Sequence, residues 1–150
     1  SYAIVFDLRD VVFEYHPEHR GTSKQFTPIK KAVALLYQLH NMVDQFGKRR
    51  HTLYVLSNAS PESHQNFIEN HPEIFALVDG IVTSGNSGMQ KPDSAFYRYL
   101  LNRFDIEPEQ SIFIDDKKVN VDAAEAIGMY GIVCTSIDHV IQELKKLKTF

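Results

Sequence analysis

Four short stretches of this 150-residue chain carry side chains that could do chemistry together. They are Asp7 in "IVFDLRD", Ser57 and Asn58 in "VLSN", Lys91 in "QKPD", and Asp115 and Asp116 in "FIDDKKVNVD". An acid at the end of an apolar run costs free energy unless something compensates it. Three carboxylates brought to one place repel one another, and desolvation adds to the cost. A bound cation relieves both. Oxygen ligands with no His or Cys among them point to Mg²⁺. Lys91 and Ser57 are of the right type to hold an anionic group such as phosphate, and helix N-termini nearby would add backbone N–H donors. Taken alone, Asp115 and Asp116 read equally well as acids capping the helix that follows. The larger pattern has each polar group coming just after a different apolar run.

Those runs must position the site. Ala3–Phe6, Leu53–Leu56, Gly80–Val82, Ser111–Ile114 and Gly131–Cys134 are short and rich in Val and Ile. They read as central strands of a parallel sheet, buried on both faces. Helical patterns lie between them. Pro28 is placed as a first-turn residue of a helix carrying Val33, Leu36, Leu39, His40 and Val43, closed by Gly47 and the basic Lys48-Arg49-Arg50. That triplet reads as a solvated helix end. Ser60-Pro61-Glu62 opens a second helix and Lys91-Pro92-Asp93 a third, whose stripe of Phe96, Tyr97, Leu100, Leu101 and Phe104 reads as core. Val119–Ile127 is a fourth helix, ending at Gly128, and Ile137–Leu147 the last. Strand and helix alternate throughout, which predicts a three-layer α/β sandwich, Rossmann-like, around a five-stranded parallel sheet. Right-handed crossovers then bring the C-terminal end of every strand to one edge, and the polar residues with them.

The bulk numbers agree with such a domain. Residues 1–150 fit a single domain. With 43% hydrophobic and 23% charged residues the composition is that of a globular protein. A net charge of −3 and a pI of about 6.1 supply no basic field for nucleic acid. No apolar run is long enough to span a bilayer, and Asp7 interrupts the first one, so neither a membrane segment nor a leader is expected. The single cysteine, Cys134, has no partner within the chain and sits beside Ile132 and Val133. A reducing, cytoplasmic setting and a packing role for the thiol are expected.

In order and spacing these stretches resemble the haloacid dehalogenase superfamily, most of whose members are phosphatases. The family's first motif is an apolar strand ending in Asp-x-Asp, matched at Asp7. Ser57 matches its second motif, Lys91 its third, and "FIDDKKVNVDAAEAIGMYGI" its fourth. The resemblance covers nearly the whole chain. It implies Asp7 as the nucleophile that forms an aspartyl-phosphate. It implies a Mg²⁺ site made by Asp7, the Arg9 backbone carbonyl and Asp115, with Asp116 close by. Ser57 and Lys91 would hold the phosphoryl oxygens, Asn58 would orient the phosphate, and Asn120 would support the acidic loop.

Two features depart from the family. Arg9 stands where its phosphatases keep the second Asp, which protonates the leaving group and then activates water. Arginine has no transferable proton near neutral pH. Arg9 is also in reach to bind substrate, or to pair with Asp7 or Asp115 and blunt the nucleophile. Asp10 stands where the family usually has Gly. The second departure is the absence of a cap domain: residues 8–27 form only a flap and loop, and His16, His19 and Arg20 read as a solvated surface. An uncapped crevice suits a large phosphorylated substrate, or closure by another subunit. The expected function is Mg²⁺-dependent phosphate-ester hydrolysis with atypical acid–base chemistry. The alternative is a non-catalytic relative that binds a phosphorylated ligand or a protein.

Overall fold

A computed structural model describes residues 1–150, the Asn86 side chain excepted. Five parallel strands form the central sheet: β1 (Ala3–Phe6), β4 (Thr52–Ser57), β5 (Gly80–Thr83), β6 (Ser111–Asp115) and β7 (Tyr130–Val133). Their order is β5-β4-β1-β6-β7. β1 is central, with Phe6 in register with Val55 on one side and Ile114 on the other. All four of its residues are buried. Alternate side chains feed two cores, as the two-residue period of a strand requires. Ile4 and Phe6 face a cluster with α1 (Lys30–Asn41), α2 (Pro61–Asn70) and α7 (Ile137–Lys146). Ala3 and Val5 face a second cluster with α5 (Ser94–Arg103) and α6 (Lys118–Ala126). The chain also has two one-turn helices, α3 (Pro72–Phe75) and α4 (Ser84–Ser87). The three-layer α/β sandwich is the architecture expected. No helix among the described residues is long and apolar enough to cross a membrane.

Local chemistry explains most helix bounds. The Ser60 side chain accepts the Ser63 N–H (3.2 Å) and caps α2, with Pro61 in its first turn. Gly128, with φ 100°, follows α6. At Gly131 a Cβ would meet Val121 Cγ1 at 2.5 Å, so only glycine lets α6 lie this close to β7.

Four expectations are corrected. Pro28 does not open α1. It ends β3 (Phe26–Pro28), which pairs antiparallel with β2 (Phe13–Tyr15), so the flap is a β-hairpin rather than a loop. Proline suits the end of an edge strand as well as a first helical turn, and the pairing to Phe13 decides between them. α1 ends at Asn41, before Val43 and Gly47. Asp44 Oδ1 then accepts the N–H groups of Phe46 (2.8 Å) and Lys48 (3.0 Å), forming a separate turn. Arg49 is no solvated helix end. Its guanidinium makes two bonds to the Asp79 carboxylate (2.8 and 3.3 Å) and one to His40 O (3.0 Å). Finally, α5 begins at Ser94 rather than at Lys91.

His51, 1% exposed, binds both ends of the chain. Its Nδ1 accepts the Tyr2 N–H (3.1 Å), and its Nε2 lies 2.7 Å from Thr149 O. The first bond requires a bare Nδ1, so the ring is neutral with its proton on Nε2. Burial lowers its pKa from the usual 6.5. The unfolded chain therefore takes up this proton first, and the stabilisation is present above pH 6.5 and lost as pH falls below it. Wild type should accordingly lose stability relative to His51→Gln as pH drops from 7 to 5, measured by urea midpoints. A gap between the two that does not change with pH would contradict this role.

Candidate active site

The C-terminal edge of the sheet collects the polar residues as expected. Asp7 follows β1, Ser57 ends β4 and Asp115 ends β6. The link between them is Lys91, whose side chain is 2% exposed. Its Nζ donates to Asp7 Oδ1 (2.8 Å), Asp115 Oδ2 (2.8 Å) and Leu56 O (2.9 Å). An ammonium has three donors, and all three are engaged. Asn58 fixes the lysine's main chain: its Oδ1 accepts the Lys91 N–H (2.8 Å) and its Nδ2 donates to Lys91 O (3.1 Å). Asn58 therefore orients Lys91.

Asp115 is fully buried and held on every side. Besides Lys91 it accepts from Asn120 Nδ2 (3.1 Å) on Oδ2 and from the Lys117 N–H (3.0 Å) on Oδ1. Tyr97 OH donates to Asn120 O (2.7 Å), so a residue of the aromatic stripe braces the acidic loop. Asn120 thus supports that loop, as anticipated. The contribution of Tyr97 was missed, because its helical spacing marks it only as core.

The two carboxylates sharing Lys91 differ electrostatically. Burial lifts the Asp7 carboxyl to about 7; Lys91 opposes this and Asp115 adds to it. For Asp115, burial acts in the same direction but is outweighed by Lys91 and by the hydrogen bonds it accepts, leaving its pKa below the usual value. Burial and the neighbouring Asp115 raise Asp116. Carboxylate oxygens of Asp7, Asp115 and Asp116 all lie within 4.8 Å of one another. Three hard oxygens so close, with one lysine among them, suit a small divalent cation. Cys134 is buried and pushed up to about 11, chiefly by that burial, consistent with packing.

Arg9 does not pair with Asp7 or Asp115. Asp10 has φ 61° and turns the chain there, and the N–H groups of Val11, Val12 and Phe13 gather on Leu8 O. The Arg9 guanidinium lies 3.9 Å over the Tyr15 ring, with Nε 3.8 Å from Asp10 Oδ2, and its side chain is 63% exposed. Asp10 Oδ1 is 3.5 Å from the Tyr15 backbone nitrogen, so Asp10 is directed at the flap. His16 is held by Thr27 Oγ1 at 2.8 Å within the flap.

Asp7, Arg9, Ser57, Lys91, Asp116 and Lys117 help to line a cavity of about 320 Å³. Phe26 from the flap and Phe67 from α2 form part of the same lining and are shared with a neighbouring cavity of about 190 Å³. Neither phenylalanine was singled out from sequence, where each reads only as an apolar residue. Replacing the buried ammonium tests how far the site depends on it. Lys91→Met should cost about 3–5 kcal/mol, because two buried carboxylates lose their partner. Adding Asp115→Asn should restore part of the loss in urea unfolding. A cost under about 1 kcal/mol would mean the pairing is not holding the edge together.

Comparison with known proteins agrees with this geometry. The family model for haloacid dehalogenase-like hydrolases matches residues 6–134. A sesquiterpene phosphatase of Aspergillus oryzae is 41% identical over 96 residues, 63% of this chain and 48% of that protein. A chloroplast flavin mononucleotide hydrolase of Arabidopsis thaliana is 34% identical over 82 residues, 55% of this chain and 34% of that protein. The chain therefore spans about half or less of these relatives' length. Among solved structures, a protein from Listeria monocytogenes superposes with a TM-score of 0.76 at 17% identity, covering 100% of both chains. A HAD-family enzyme from Bacteroides thetaiotaomicron, in complex with magnesium and inorganic phosphate, does so at 0.74 and 14% identity, covering 93% of this chain and 98% of that one. At these identities the structures speak to the fold. With the family model spanning β1 to β7 and the four motifs converging on one edge, the chain belongs to the haloacid dehalogenase-like hydrolases.

Proposed function

We infer that the chain hydrolyses phosphate esters through an aspartyl-phosphate on Asp7, with Mg²⁺ held by Asp7, Asp115, Asp116 and the Arg9 carbonyl. The observation that carries this reading is the intact nucleophile cluster. Arg9 is turned onto Tyr15, so its cation does not quench Asp7. The phosphatase and hydrolase relatives support organic phosphates as the substrate class, and the Bacteroides neighbour was solved with the ion and anion this site suits.

Within the reading each side chain has a task. Asp7 supplies the attacking oxygen. Ser57 donates to a phosphoryl oxygen, and Lys91 turns one donor from Asp7 toward the phosphoryl group as it arrives. Asn58 keeps Lys91 in place, while Asn120 and the Lys117 N–H keep Asp115 ionised and aimed. Bound Mg²⁺ would neutralise charge on the phosphoryl group, so that positioning and electrostatics carry most of the catalysis. With Arg9 in place of the acid, esters with poor leaving groups should be slow by about 10²–10⁴.

The test is p-nitrophenyl phosphate hydrolysis with Mg²⁺, whose leaving group needs little protonation. Wild type should turn over, Asp7→Asn should not, and EDTA should stop the reaction. Wild type at background while Arg9→Asp turns over would instead favour the second reading, a non-catalytic binder of phosphorylated ligands, which the loss of the acid at position 9 alone supports.

A further inference from the structure

Arg9 stands where the resemblance places the residue that serves the leaving group, and it is a cation. Arg9 lines the same cavity as Asp7, Ser57 and Lys91, and Lys117 is a second exposed cation on that lining. Stacking on Tyr15 holds the guanidinium plane. A guanidinium held by its face still presents in-plane N–H donors, in the fork that matches a phosphate. Two acids besides Asp7 share the lining. Asp10 lies against Arg9 Nε and the Tyr15 N–H, and Asp116 belongs to the carboxylate cluster. Asp10 is thus directed at the flap and Asp116 at the other carboxylates.

We propose that the preferred substrate is a phosphoanhydride: an organic diphosphate whose terminal phosphoryl group goes to Asp7 and whose inner phosphate is held by Arg9 and Lys117. The proposal rests on the hydrolase reading above. In the first step an Asp7 oxygen bonds to the terminal phosphorus. The bond from that phosphorus to the bridging oxygen breaks, and its electron pair stays on the bridging oxygen. The organic monophosphate departs without taking a proton. In the second step water adds to the phosphorus of the aspartyl-phosphate, and the bond to Asp7 breaks. The products are the Asp7 carboxylate and dihydrogen phosphate, which keeps both protons of the water.

This substrate class explains why an acid can be dispensed with. An alkoxide leaves as a base about as strong as hydroxide and needs a proton. A monoester phosphate leaves as an anion whose pKa is about 6 and needs none. It needs its new charge stabilised, and a fixed guanidinium does that better than a carboxyl group would. The Asp-to-Arg departure thus matches the leaving group to the residue standing in the acid's place.

Octyl diphosphate and octyl phosphate, each with excess Mg²⁺, separate the outcomes. Wild type should favour the diphosphate by about 100-fold in kcat/KM, the scale of one general acid, and release octyl phosphate as product. Arg9→Gln should narrow that ratio about tenfold, and Arg9→Lys should keep part of it. Calorimetry with methylenediphosphonate, which has no cleavable bridge, should show about tenfold weaker binding to Arg9→Gln than to wild type. Equal rates on the two substrates, or a ratio and an affinity that Arg9→Gln leaves unmoved, would overturn the anhydride proposal while leaving an Asp7-dependent phosphatase intact. Phosphate release from neither substrate, with Asp7→Asn indistinguishable from wild type on p-nitrophenyl phosphate, would remove the hydrolase reading and this proposal with it.

Discussion

One buried ammonium joins three strands of the sheet. Lys91 Nζ reaches Asp7 after β1, Leu56 in β4 and Asp115 at the end of β6. Without it, two carboxylates would face each other in a poorly solvated crevice and one would have to take a proton. With it, Asp115 stays ionised, and burial raises Asp7 only to about 7. The neighbouring hydrogen bonds serve this arrangement. Asn58 grips the lysine's main chain, Asn120 and the Lys117 N–H fill the remaining acceptors of Asp115, and Tyr97 braces Asn120. The residues that would do chemistry are thus held by a shell of packing and amides far apart in the chain.

Against that fixed interior, the flap is where this chain differs. Asp10 adopts a left-handed conformation where the family usually has glycine, and the β2–β3 hairpin supplies Tyr15 as a platform for Arg9. Cation–π stacking and the adjacent carboxylate keep the guanidinium on the cavity lining but unpaired with Asp7. The charge at position 9 can change without disturbing Asp7, because the two positions are served by different parts of the structure.

The sheet and its polar edge were legible in sequence for a physical reason. Strands buried on both faces must be continuous apolar runs, and a polar residue just past such a run stands out. The flap hairpin was not legible, since its strands are three residues each and their pairing is set by tertiary contact. The same holds for Arg49, whose partner Asp79 lies 30 residues away. The direction of the Arg9 side chain depends on the turn at Asp10, and a non-glycine residue in a left-handed conformation leaves little local signal. The type and place of Lys91 were readable, but not its three acceptors, which exist only once β1, β4 and β6 lie side by side.

The ring of His51 holds Tyr2 and Thr149 on its two nitrogens. Tyr2 immediately precedes β1, and Asp7 immediately follows it. The two ends of this core are therefore neighbours, and a strand of about 13 Å separates them from the crevice. Polypeptide joined at either end would leave from the floor of the sheet, remote from the cavity at its other edge. Such a core can be carried as a module: what it is fused to and what it acts on can change independently.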